Sequence, residues 1–417
     1  MSKFAGNHNE CTMQLTASRE DMLFHLLAEH HADTRRHAAV ELYEHLRREQ
    51  SLPLVYGDHA IFLYHGPAQH VSLVGDWTYW QPATHLQRIE HTDLFYIILQ
   101  FPVDARLQYK FIVDGAWVND PGNDRVQAEG FGLNTEFMMP LYADNSHSVE
   151  HPNAPGGTII RTMFQGHSLE HEREGFLYLP AAVIDRITQR DTIDVGSTID
   201  TGSTIATGAD AQLNEVSLVL VHDGAEALRL GKFATILDNL HAAGSIQSTA
   251  AVFLSPGNRN EEYASSDAYI DFCAHEVLPQ ARKIFAEHGV RISEQPHRIA
   301  VCGASLGGLL ATKTGLRHSS CFGTVLAQSP SYWWNKGEIF RSEYLMNAEH
   351  IRFVVQTGTI CDAKDLASLM VQRLRALGAD VSYFEYAQGH TWGNWRSTFA
   401  DALRAWNGLN EFDYAAR

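Results

Sequence analysis

The sequence predicts an α/β chain: a domain built on a mostly parallel sheet, preceded by an antiparallel, immunoglobulin-like β-sandwich and a short helical N-terminal extension. Three observations carry this. Beyond residue 215, short apolar runs alternate with helix-like runs, the pattern of strand–helix–strand units. Between residues 54 and 140 the chain reads as all-β, with apolar alternation broken by turn residues. Before that, Ser18-Arg19-Glu20-Asp21 is similar to a capping box and opens amphipathic helix as far as Arg48. The expected parts are therefore an extension over 1–52, a sandwich over 53–142, a linker over 143–156 and the α/β domain over 157–417.

Taken in order, the first 18 residues are expected to fray. His25, His30, His31, His37 and His45 on the following helices read as solvated side chains. The sandwich strands fall on His59–Tyr64, His70–Val74, Leu94–Phe101, Leu107–Val113 and Thr135–Met138. His167 and His171 have a ligand-like spacing, but in a strand-to-turn region and not on a helix, so no metal is expected there. Thr188–Ala211 is a low-complexity Thr/Gly/Ser/Asp insertion and reads as a mobile surface loop over 188–211.

In the α/β part, Val216–Val221 is a strand, followed by His222-Asp223-Gly224-Ala225. His297–Cys302 is a short buried strand and Leu306–His318 a helix. Between them lies Gly303-Ala304-Ser305-Leu306-Gly307. A Gly-x-Ser-x-Gly turn between strand and helix leaves room for a sharp reversal with the serine at its apex, its oxygen projecting from the sheet edge. A serine hydroxyl needs a base to take its proton, and the base needs a carboxylate to fix its tautomer. In the α/β-hydrolase arrangement these follow in the order Ser, acid, His. The strand Ile351–Gln356 runs into a loop holding Asp362, the first choice of acid, with Asp365 second. Next come a helix to Leu377, the strand Val381–Tyr386, then Gly389-His390 and a final helix over Trp395–Trp406. His390 thus sits where the base belongs. The oxyanion donors are expected at the Leu306 N–H and at Gly224 or Ala225.

The segment from about 157 to 410 resembles the putative-esterase family of α/β-hydrolases. The matching stretches are Leu177–Pro180, Val221–Gly224, Pro256–Tyr263, Glu276–Pro279, the serine turn and Gly389-His390. Gln328–Trp334, and Gly389-His390 through Trp395-Arg396, are similar to the enterochelin-esterase branch. The resemblance departs at Pro330, where the family has Gly, and in the acid loop, where that branch tends to place a Glu. It implies substrate contacts at Arg259, Trp333, Trp334, Trp392 and Arg396. Val74–Trp80 and Tyr109–Trp117 resemble the glycogen-binding modules of AMP-activated kinase β subunits and the early-set domains of branching enzymes. That implies a sugar-stacking set of Trp80, Lys110, Trp117 and Asn134. The other reading of this module is a scaffold that helps form the substrate cleft.

Composition bounds the rest. A net charge of −17 argues against nucleic acid as a partner. No apolar stretch reaches the ~20 residues of a membrane span, and the start of the chain has no apolar signal core. Five cysteines without framework spacing read as reduced thiols in a cytoplasm. The sequence therefore predicts a cytoplasmic serine esterase that needs no cofactor or metal, acting on a small-molecule ester. The resemblance implies a catecholate siderophore ester as substrate. Acetylated or feruloylated sugar is the second possibility, and a non-catalytic glycan-binding protein the third. Oligomeric state is left open.

Overall fold

The computed structural model describes residues 19–181 apart from 30, 82–83, 145 and 170, together with residue 183 and residues 215–409. The first 18 residues and the 188–211 insertion lie outside the described residues. The chain divides into two compact units. The first comprises residues up to 104, 108–126 and 134–141; the second comprises 105–107, 127–133 and 142 onward.

The first unit opens with helices α1 (Arg19–Ala28) and α2 (Ala32–Arg48). Ala39, Leu42, Tyr43 and Leu46 recur at helical spacing on α2 and are buried. They share a core with Leu54, Ile61 and Leu63. The strands of the sandwich are β1 (Leu54–Tyr56), β2 (His59–His65), β3 (Val71–Gly75), β4 (Thr84–His85), β5 (Gln87–Arg88), β6 (Leu94–Gln100), β7 (Arg106–Val113), β8 (Ala116–Val118), β9 (Val126–Glu129) and β10 (Gly132–Met138); most of β9 and the first residues of β7 and β10 count with the second unit. One sheet runs β1-β2-β6-β5 and the other β4-β3-β7-β10-β9, with β8 on β7. Aromatic rings fill the space between them. Phe62 of the first sheet meets Tyr109 and Phe137 of the second edge-on, at centroid distances of 4.9 and 5.2 Å.

The second unit is a layered α/β domain. Its strands are β11 (Thr158–Phe164), β12 (Arg173–Leu179), β13 (Glu215–His222), β14 (Thr249–Leu254), β15 (Arg291–Ile292), β16 (Ile299–Ala304), β17 (Thr324–Gln328), β18 (Arg352–Gly358) and β19 (Asp380–Tyr386). They are ordered β11-β12-β14-β13-β16-β17-β18-β19, with β15 on β13. The β11–β12 and β12–β14 pairings are antiparallel, and every pairing from β14–β13 through to β18–β19 is parallel. A parallel sheet is covered on both faces, and the residues of β13 divide accordingly. Leu218 and Leu220 join one core cluster, Val219 and Val221 the other.

The covering helices are α3 (Gly224–Arg229), α4 (Phe233–Ala242), α5 (Arg259–Ser265), α6 (Asp267–Phe272), α7 (Leu278–Glu287), α8 (Leu306–Arg317), α9 (Trp334–Gly337), α10 (Lys364–Ala376) and α11 (Trp392–Asn407). A π-helical turn over Cys273–Val277 joins α6 to α7. The last helix starts at Trp392 and not at Trp395, because the Thr391 hydroxyl accepts the Asn394 N–H at 3.3 Å and caps it. Among the described residues, no helix is long and apolar enough to cross a membrane.

Candidate active site

Ser305 leaves β16 with φ 58° and ψ −121°, a conformation that costs an L-residue free energy and persists only where surroundings fix it. They do. Its N–H donates to the Gln328 carbonyl at 2.9 Å, and its own carbonyl accepts from Gly308 N and Ser331 N at 3.0 and 2.9 Å. The turn is so tight that a Cβ at Gly303 would lie 2.3 Å from the Gly307 carbonyl oxygen. Only glycine fits at 303, which is the physical content of the motif.

The neighbouring strands β16, β17, β18 and β19 deliver their C-terminal loops to one edge. Ser305 follows β16, Ser329 and Ser331 follow β17, Asp362 follows β18 and His390 follows β19. His390 Nε2 lies 2.9 Å from Ser305 Oγ, and its Nδ1 lies 2.6 Å from Asp362 Oδ1. The Asp362 side chain is fully buried, while His390 keeps 38% of its side-chain surface exposed. Asp362 Oδ2 accepts from Ser329 Oγ and from Gly358 N–H, each at 2.6 Å. Burial works to raise the Asp362 pKa. The hydrogen bond and attraction from His390, with the Ser329 and Gly358 donors, outweigh it and hold the carboxyl below its ordinary value. Trp395 packs edge-on against the His390 ring at 5.2 Å and donates its indole N–H to Ser329 Oγ at 3.1 Å. Asp365, the alternative acid, is exposed in the first turn of α10.

Two backbone donors face the question of charge. Among the described residues, no acceptor engages the Leu306 or Gly224 N–H, whereas the Ala225 N–H donates to Ser255 Oγ at 3.3 Å. Gly224 begins α3 behind Asp223, which sits in the left-handed region at φ 55°. A Cβ at Gly224 would lie 2.4 Å from the Phe253 carbonyl carbon, so this backbone packs directly on β14. Two residues of α5, one turn apart, hold the loop. Arg259 forks onto the Asp223 carboxylate at 2.6 and 2.8 Å, and the Tyr263 hydroxyl accepts the Asp223 N–H at 2.8 Å.

The remaining sequence-predicted residues fall in different settings. Arg259, expected at substrate, spends its guanidinium on Asp223 and lies 5.2 Å over the Tyr263 ring. Trp333 is 56% exposed. Trp334 beside it packs partly against the core. Trp392 is buried against Trp395 and Phe233. Arg396 donates to the Leu230 carbonyl at 3.2 Å. In the sandwich, Lys110 and Gln108 share one face of β7 by alternation, Asn134 reaches Gln108 at 2.9 Å, and Trp117 pairs across from Ile112 on that same face. Trp117 is half exposed. Trp80 is half-buried, its indole N–H on Asp76 at 3.2 Å. Ser329, Ser331, Tyr263 and Trp395 had no site role assigned from sequence. Their signal is the likeness of Gln328–Trp334, Pro256–Tyr263 and the Gly389–Arg396 segment to family stretches, which marks a segment without saying what each side chain touches.

Residues 208–406 match the family described as "Putative esterase", and residues 59–135 match "Glycogen recognition site of AMP-activated protein kinase". The iron(III) enterobactin esterase of Dickeya dadantii is 27% identical over 208 residues, 45% of this chain and 47% of that protein. The enzyme of the same name from Escherichia coli O6:H1 is 35% identical over 98 residues, 20% of this chain and 22% of that protein. The matched stretches thus span less than half the length of these curated relatives. Among solved structures, the ferric enterobactin esterase of Salmonella typhimurium superposes with a TM-score of 0.62 at 17% identity, covering 83% of this chain and 92% of that one. The enterobactin esterase of Shigella flexneri gives the same TM-score at 18% identity and the same coverage. These share the fold. The chain is thus similar to esterases over residues 208–406 and to the kinase glycogen-recognition site over residues 59–135, and part of it is similar to enterobactin esterases.

Proposed function

We propose that this protein is a serine esterase acting through an acyl-enzyme on the ester bonds of a catecholate siderophore. The observation that carries the reading is the continuous relay from Asp362 through His390 to Ser305, at 2.6 and 2.9 Å. In this reading His390 Nε2 takes the Ser305 proton as Oγ attacks the ester carbonyl. The Leu306 and Gly224 N–H groups hold the oxyanion, Gly224 being preferred because Ala225 is already engaged. His390 returns the proton to the leaving alcohol, and water resolves the acyl-enzyme by the same steps in reverse. Asp362 stabilises the imidazolium and fixes its tautomer. The names of the relatives favour a ferric catecholate triester as substrate. The test is an activity panel of ferric catecholate siderophore, p-nitrophenyl esters, and feruloylated or acetylated sugars. Turnover highest on the siderophore, and absent in Ser305→Ala, supports the reading. Turnover confined to acyl sugars replaces its substrate and keeps its chemistry.

A second reading concerns the sandwich, favoured by the half-exposed Trp117 on the face of Lys110 and by the glycogen-recognition match. Here an α-glucan stacks on Trp117. The expected result is retardation in affinity gels containing glycogen that Trp117→Ala abolishes; free migration of the wild type removes this reading.

A further inference from the structure

Away from the serine site, Asp271, His275 and His318 come together from two separate stretches of chain. Asp271 lies in α6, His275 one turn later in the π-helical segment, and His318 directly after α8. One ligand-type atom from each lies within 4.8 Å of the others. We propose that these three side chains form a binding site for one divalent first-row transition-metal ion of the zinc class.

The donor chemistry fits such an ion. Two imidazoles and one carboxylate suit zinc-like metals, and three protein ligands leave a fourth position for water. Carboxylate and imidazole one helical turn apart on one face form a bidentate pair, with the third ligand brought by the fold. Tetrahedral ligation at ~2.0–2.1 Å places ligand atoms about 3.3 Å apart. His318 Nε2 and Asp271 Oδ1 are already 2.8 Å apart. His275 has the furthest to move. It is exposed and free to swing, and its ring meets that of His318 edge-on at 4.7 Å. His318 itself is anchored. Its N–H donates to Thr314 O, and its carbonyl accepts from Cys321 N and Phe322 N, all at 2.9 Å.

The surroundings also suit a cation. Arg317 forks onto Asp271 at 2.8 and 3.1 Å and reaches Asp267 at 3.0 Å. Two carboxylates against one guanidinium leave the cluster net negative while both histidines are neutral. On binding, Asp271 Oδ1 turns to the metal while Oδ2 and Asp267 keep the guanidinium, an outer partner that orients the ligand. π-helical turns are rare and recur at functional sites, and this one carries His275. Bound metal would tie α6 to the end of α8, the helix whose other end follows Ser305.

The test uses the full chain, freed of metal by chelator, and Zn²⁺ alone as probe. Equilibrium dialysis with metal analysis is run on wild type, His275→Ala and Asp271→Asn. His275 is exposed, so its removal leaves the fold intact. The proposal expects the wild type to hold one more equivalent than either variant, or to bind at least ~10-fold more tightly, and Zn²⁺ to raise its melting temperature more than theirs. Equal stoichiometry, affinity and thermal shift in all three chains, the pattern of a simple ion-pair network with zinc held only by other histidines, would overturn it.

Discussion

In the proposed mechanism Ser305, His390 and Asp362 act as one relay, so the losses on removing its members are expected to be non-additive. Ser305→Ala and His390→Ala are each expected to lower kcat by at least about 10³-fold, with the double variant no worse than the poorer single. Steady-state kinetics on any accepted ester check this. Asp362 and Asp365 separate more sharply. Asp362 is buried and accepts from His390, Ser329 and Gly358, whereas Asp365 is exposed at a helix start. Asp362→Asn is expected to cost up to about 10⁴-fold in kcat by favouring the wrong tautomer, with KM little changed. Asp365→Asn should alter stability by under about 1 kcal/mol and leave kcat alone. A large kcat loss in Asp365→Asn would reassign the acid. At this scale the sequence was legible where chemistry is written locally: glycines around Ser305 and Gly389 before His390. The choice between Asp362 and Asp365 was not, because burial and the Ser329 donor depend on a loop from another strand.

Strand and helix positions follow from patterning that a single segment displays, so the elements bearing the site were readable. β16, β18 and β19 fall within two or three residues of the apolar runs. The loop between β13 and α3 reads from sequence as a plain turn. Its left-handed Asp223 is explained only by its partners on α5. The same partners change the meaning of Arg259. The family resemblance implies a substrate contact, and substitution would then raise KM. Its fork onto the almost fully buried Asp223 supports a different proposal, that Arg259 positions the loop carrying the Gly224 amide. Arg259→Met is expected to lower kcat by roughly 10- to 100-fold with little change in KM, by the magnitude of losing part of an oxyanion donor. It should also cost about 1–3 kcal/mol in denaturant unfolding, since Asp223 loses its partner while Arg259 was itself partly exposed. A change confined to KM would return Arg259 to the substrate.

Over the whole molecule, buried histidines couple folding to acid. Burial, with Arg259 close by, pushes the His222 pKa down to about 3. Burial lowers His241 to about 4. Both rings are neutral in the folded chain at neutral pH and charge readily once unfolded, near ~6.5. Between the folded and unfolded values the unfolded state binds the extra protons, so stability rises with pH and is lost as pH falls below about 6.5. Each histidine contributes a loss of about 1.4 kcal/mol per pH unit down to its folded pKa. Unfolding free energies from pH 7 to 5 should fall less steeply in His241→Gln than in wild type; parallel slopes would rule that contribution out. None of this was legible from 23 histidines spread along the chain, because a pKa shift depends on enclosure that distant segments create.

The central claim is that Ser305 is the nucleophile, activated by His390. The most direct measurement is reaction with a fluorophosphonate, followed by intact mass and peptide mapping. The account predicts one adduct per chain, on Ser305, with esterase activity lost in step. Labelling should fall sharply in His390→Ala and vanish in Ser305→Ala. Labelling at another residue, or an active enzyme that resists the reagent, would contradict it.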